Sequence, residues 1–127
     1  MLTAAAVFAA LAALLHVYIW TLESVTFMGK GRKAFGISAA DAEIVRPWAL
    51  NQGYYNLFLA IGTFVGVGLT LGDCVAGRAL IVFGVGSMFA AAVVLIATDR
   101  KMLRGALIQG TFPAIALVLL GIDALTR

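Results

Sequence analysis

The stretch NQGYYNLFLAIG, residues 51–62, opens an apolar run that continues to Leu71, yet its first six positions hold three amides and two tyrosines. Whether that run lies in water or in lipid decides the fold. The rest of the chain answers for lipid. Its 127 residues are 63% hydrophobic and only 12% charged, against about 25% charged in an ordinary soluble domain, and the mean hydropathy is +1.05. This length accommodates one integral membrane domain, residues 1–127, with four spans of about 20 residues each and little left over. The net charge of +3 does not mark a nucleic-acid binder, because the basic residues fall between apolar spans, where they set topology. Cys74 is the sole cysteine, which excludes an intrachain disulfide and a cysteine-based metal cluster within one chain.

The four apolar segments are Leu2–Leu22, Trp48–Leu71, Ala79–Thr98 and Leu103–Leu125. The first, within MLTAAAVFAALAALLHVYIW, lacks the basic residues that precede the apolar region of a secretory signal, and it runs on into aromatics, so it reads as a retained span. The one long connection, residues 23–47, is broken by Gly29, Gly31 and Gly36. Ser38, followed three residues later by Asp41, predicts a helix N-cap. A short interfacial helix over residues 39–46 is expected to follow, with Pro47 in the first turn of the second span. The other connections are tight, which favours antiparallel neighbours and an all-α, up-down bundle of four transmembrane helices.

Seven basic residues, Lys30, Arg32, Lys33, Arg46, Arg100, Lys101 and Arg104, flank the spans on one side, against Arg78 and Arg127 on the other. This bias predicts that residues 23–47 and 99–104 are cytoplasmic and that both termini lie outside. The KGRK cluster would also meet anionic headgroups of the membrane lipids. Gly62 with Gly66, Gly68 with Gly72, and Gly86 with Ala90 stand at helix-packing intervals. They serve contacts within the bundle or a homo-oligomer joined through Gly62, Gly66 and Gly86.

A helical projection at about 100° per residue puts Asn51, Gln52, Tyr55 and Asn56 on one face, continued by Leu59, Gly62, Thr63 and Gly66, with Gly53, Tyr54 and Leu57 opposite. Amides facing hydrocarbon lose their water partners, so this face is expected to point into the bundle. In the first span His16, Trp20, Glu23 and Phe27 fall within about 60° of one another. Gln109 shares a face of the fourth span with Gly105, Phe112, Pro113 and Ala116. All these polar groups lie in the cytoplasmic half. The expectation is therefore a cluster open to the cytoplasm, with His16 and Glu23 as candidate catalytic residues and Trp20, Asn51, Gln52, Tyr55, Asn56 and Gln109 as candidate ligand-binding residues. The alternative is that these groups only hydrogen-bond one another and fix helix register. Glu23 either pairs with Arg100 or Arg104 at the headgroup boundary or, if buried, accepts a proton or binds a cation. A single histidine supports no metal site without carboxylates or symmetry mates, so no metal and no cofactor is assigned.

HVYIWTLE at 16–23, FG at 35–36, NQGYYNLFLAIG at 51–62 and QGTFPAIAL at 109–117, in that order along the chain, resemble a bacterial family of small integral membrane proteins known as domain of unknown function 1304. The resemblance implies a four-span inner-membrane protein without an established activity, and its motif positions include His16, Glu23, Asn51, Gln52, Gly53, Tyr55, Asn56, Gln109 and Pro113. One departure is SVTFMGKG after Glu23, where the family pattern implies a further hydrophobic residue and a Trp. Phe27 is the aromatic residue left there.

Three functions fit these residues. The first is binding or transport of a small polar or amphiphilic molecule from the cytoplasmic side, since amides and a Tyr hydroxyl donate and accept without fixed charge. The second is an enzyme for a lipid-soluble substrate, of proton-transfer or isomerase type, in which Glu23 or His16 moves a proton. The third is an accessory subunit with a purely structural polar core.

Overall fold

The computed structural model describes residues 1–126; Arg127, counted above among the basic residues, lies outside the described residues. Four helices carry the chain, α1 over Leu2–Glu23, α2 over Ala39–Leu71, α3 over Val75–Thr98 and α4 over Leu103–Leu125. Each is long and apolar enough to cross a membrane, and no strand occurs among the described residues. Helices α1 and α3 pack chiefly against α2 and α4, and α1 touches α3 only slightly across the diagonal, so the four close into a ring in chain order. Neighbours run antiparallel, because the end of α1 meets α2 at Gly53 and Asn56, Thr63 and Gly66 of α2 meet Gly84 and Gly77 of α3, and Gly110 of α4 meets Ala92.

The ring is built with small residues inside and large ones outside. Ala5, Ala9, Ala12, Ala13, Ala60 and Ala116 are fully buried, whereas Leu14, Phe58, Phe83, Val94 and Val118 are each more than half exposed. Water would penalise this distribution, but hydrocarbon does not. Helices in lipid gain little by hiding leucine and more by approaching closely enough for dispersion contacts. The larger core side chains, Ile81, Val85 and Met88, all come from α3 and fill the space against Ala9, Ala12 and Ala116.

Helix ends follow local chemistry. Ser24 closes α1 with its hydroxyl donating to the Trp20 carbonyl at 2.5 Å, and a π-turn over Phe27–Gly31 then bends the chain back so that Phe27 is buried although α1 has ended. Gly31 is required there because a Cβ would collide with the Leu22 carbonyl. Ser38 caps α2, its Oγ accepting from the Asp41 amide at 3.1 Å and donating to the Asp41 carboxylate at 2.7 Å. The α2–α3 turn places Asp73 at φ +57, one of the few side chains that enter the left-handed region readily.

Two expectations need correction. Residues 39–46 are helical, but they form no separate helix, since α2 runs unbroken for 33 residues through Pro47. Proline removes the amide that would bond the Glu43 carbonyl, and that turn is exposed, so water can serve the freed oxygen. Of the two uses expected for the small residues, packing within the bundle involves a different set from the one expected. A Cβ at Gly62, Gly68 or Gly86 meets nothing within 4 Å, whereas one at Gly66 would lie 2.9 Å from the Gly77 carbonyl and one at Gly77 would lie 2.5 Å from the Thr70 amide. The glycines that matter for α2–α3 packing are therefore Gly66 and Gly77, with Gly84 making room for the Thr63 hydroxyl. Gly77→Val should lower unfolding stability in mild detergent by about 1–3 kcal/mol, the usual cost of overpacking, while Gly62→Val should lose none. Equal stability of the two variants would contradict this arrangement.

Candidate functional site

Glu23 and Asn56 meet at the seam between α1 and α2. The carboxyl group of Glu23, at the end of α1, accepts a hydrogen bond at 2.6 Å from Asn56 Nδ2 on α2. It is the one side-chain hydrogen bond that joins two spans among the described residues. Asn56 is buried and Glu23 is half-buried. Gly53 makes this approach feasible, because a Cβ there would stand 3.0 Å from Glu23 Cβ and 3.4 Å from the Trp20 carbonyl. One turn back along α1, the Trp20 ring meets the Tyr54 ring edge-on with centroids 6.1 Å apart, and Tyr54 in turn leans on Phe58 at 6.1 Å.

His16 lies one further turn inside and is fully buried. Its Nδ1–H donates to the Ala12 carbonyl at 2.8 Å, which in the neutral ring leaves Nε2 as an acceptor. That Nε2 atom is buried without a protein partner, and so is the indole N–H of Trp20. An acceptor and a donor, four residues apart on one helical face, are thus left unsatisfied, each at a cost of about 1–3 kcal/mol. Thr70 Oγ1 is the third such atom, but it lies at the opposite end of α2 near the Arg78–Asp123 ion pair of 3.5 Å.

The inward face of α2 is rotated by about 60°, a sixth of a turn, from the expected one. Asn51, Gln52 and Tyr55 are exposed, and the buried line is Gly53, Asn56, Ala60, Thr63, Gly66 and Thr70. Only Asn56, Thr63 and Gly66 of the expected face lie on it. Steric fit explains the difference, since glycine alone permits the contact with Glu23. Depth explains why the amides can turn outward. Twenty residues counted back from Leu71 end at Gln52, and about 20 helical residues span the hydrocarbon, so Asn51 and Gln52 stand at its edge, where water and headgroups can serve them. Tyr54, placed on the opposite arc by projection, packs beside Trp20 instead. Glu23 bonds Asn56 rather than Arg100 or Arg104, and the only ion pair among the described residues is Arg78–Asp123. Gln109 is half-buried and its amide makes no hydrogen bond to the described residues.

Two cavities lie away from this seam. One lies between α3 and α4, and the other, of about 370 Å³, is lined by Thr70, Asp73, Cys74, Val75 and Arg78 at the α2–α3 turn. No three His, Cys, Asp or Glu side chains among the described residues converge on a metal-sized site. A family model described as a protein of unknown function (DUF1304) matches residues 10–121. The chain belongs to the DUF1304 family. The matched region contains every group of the α1–α2 seam. No curated protein and no solved structure matches the chain.

Gly53 stands among the motif positions of the family resemblance, but helical projection puts it opposite the polar face, so what sequence inspection missed is its role at the seam. The signal was present in the small or amide residues at 53, 56, 60, 63, 66 and 70, whose spacing of three and four marks a close helix contact more directly than polarity does.

Proposed function

We propose that this multi-pass membrane protein binds a small polar or amphiphilic molecule inside the membrane, with His16 and Trp20 as the residues that hold its polar group. The observation that carries this reading is the pair of buried atoms without a protein partner, His16 Nε2 and Trp20 Nε1. A hydroxyl both donates and accepts. It would donate to the imidazole and accept from the indole, whereas a hydrocarbon could do neither. The Tyr54 ring beside Trp20, with Phe58 against it, offers apolar cover for the rest of such a molecule, and the exposed amides and phenol of Asn51, Gln52 and Tyr55 suit an amphiphile that arrives from the headgroup layer. Glu23 and Asn56 satisfy each other, which favours a structural task for that pair over proton transfer to a substrate.

The reading is tested by fluorescence of the Trp48→Phe variant, in which Trp20 is the only tryptophan. In phosphatidylcholine vesicles, 1-decanol should shift Trp20 emission to longer wavelength and saturate, decane should not, and His16→Leu should abolish the saturation. A linear response that is the same with and without His16 would overturn the proposal.

The distribution of basic residues supports an orientation with residues 23–47 and 99–104 in the cytoplasm of a bacterial inner membrane and both termini outside. Cys74, exposed in the α2–α3 turn and the sole cysteine, reports on it. A membrane-impermeant maleimide should label Cys74 in spheroplasts without permeabilisation. Labelling that requires permeabilisation would reverse the orientation.

A further inference from the structure

On the far side of the bundle from the α1–α2 seam, α3 and α4 part to leave an apolar groove of about 210 Å³, lined among others by Phe89, Ala92, Ile96, Ala106, Gly110 and Ala114. It extends from Phe89 to Ile96, roughly 10 Å along the helix axis. Small side chains form its floor, where a Cβ on Gly110 would come within 2.9 Å of Ala92, and the partly exposed Phe89, Val93 and Leu107 form its rims. The groove is open sideways, so a bilayer would surround it with hydrocarbon tails.

The connection between the same two helices and the first turn of α4 carry Arg100, Lys101 and Arg104, all exposed. Their side chains make no hydrogen bond or ion pair with the described residues. The nearby acid, Asp99, accepts from the Lys101 amide at 2.9 Å, so the connection bears three positive charges and one negative. The basic residues of the first connection are more engaged. Lys30 sits 5.3 Å from the centre of the Tyr18 ring and Arg32 Nε donates to the Met28 carbonyl at 2.8 Å.

We infer that the α3–α4 groove and the Arg100–Arg104 connection together form a binding site for one anionic phospholipid, with an acyl chain in the groove and the phosphate beside Arg100, Lys101 and Arg104. Charge and shape agree on this occupant. An acyl chain fits a narrow apolar groove opening into lipid, and the free cations stand at the end where α3 and α4 are joined, at headgroup level. A second copy of the chain is the competing occupant.

Native mass spectrometry of the full chain, released from mild detergent with equal phosphatidylglycerol and phosphatidylcholine of identical tails, tests this. The expected result is a monomer retaining one phosphatidylglycerol in preference to phosphatidylcholine. The triple variant Arg100→Gln, Lys101→Gln, Arg104→Gln should lose that preference, by about fivefold for each charge removed. The triple variant Lys30→Gln, Arg32→Gln, Lys33→Gln should keep it. Ala114→Phe, which fills the groove, should reduce retention of both lipids; Thr111→Phe on the groove's exposed wall repeats the test if Ala114→Phe does not fold. The inference is overturned by equal retention of the two lipids, by loss of preference on changing the first connection alone, by retention that groove filling leaves unaltered, or by a lipid-free dimer that groove filling disrupts.

Discussion

In hydrocarbon a polar side chain that meets no partner has no water to fall back on, and the Asn56 to Glu23 hydrogen bond is this bundle's answer at the α1–α2 seam. At 2.6 Å, it ties the last residue of α1 to a position well inside α2, and so fixes the register of the two helices. Gly53 brings the backbones close enough for the bond to form, and the Trp20 and Tyr54 rings meet between the same two helices. A shift of either helix by one residue would turn Asn56 out of the seam by about 100° and leave Glu23 unpaired, so the bond selects one alignment from several that alanine and glycine packing alone would permit.

The consequence for function lies one turn away. With Glu23 and Asn56 occupied by each other, the unsatisfied hydrogen-bonding capacity of α1 is concentrated in His16 and Trp20. Their free atoms, an acceptor and a donor, are complementary to a hydroxyl. The structural and the binding readings of the polar cluster therefore apply to different residues. On the proposed reading, the pair at the helix end sets geometry, and the pair deeper along α1 would take the polar group of a ligand.

Much of this was legible in the sequence, and the reasons for the rest are physical. Length, hydropathy and the placement of glycines gave the four helices, and Ser38 with Asp41 gave the start of α2, because these depend on local chemistry. The run of α2 through Pro47 was not legible, since a proline after one exposed turn is consistent with either a helix start or a helix interior. The inward face of α2 was not legible from polarity, because polarity is no sign of burial at that depth. Near the edge of a membrane, amides such as Asn51 and Gln52 find water, and what must face inward is the residue that allows contact, Gly53. Likewise Gly62 and Gly86 stand at packing intervals yet face outward, because spacing identifies a helix face but not its partner.

The account rests on the seam, and a double-mutant cycle at Glu23 and Asn56 tests it most directly. Unfolding stability in mixed micelles would be measured for the parent chain, Glu23→Leu, Asn56→Leu and the double variant. If the hydrogen bond holds α1 to α2, each single change strands a polar partner in the seam, and the double variant loses no more than either single one, giving a coupling of about 1–2 kcal/mol. Strictly additive losses, with no coupling, would mean that Glu23 and Asn56 act independently and that the seam is held by something else.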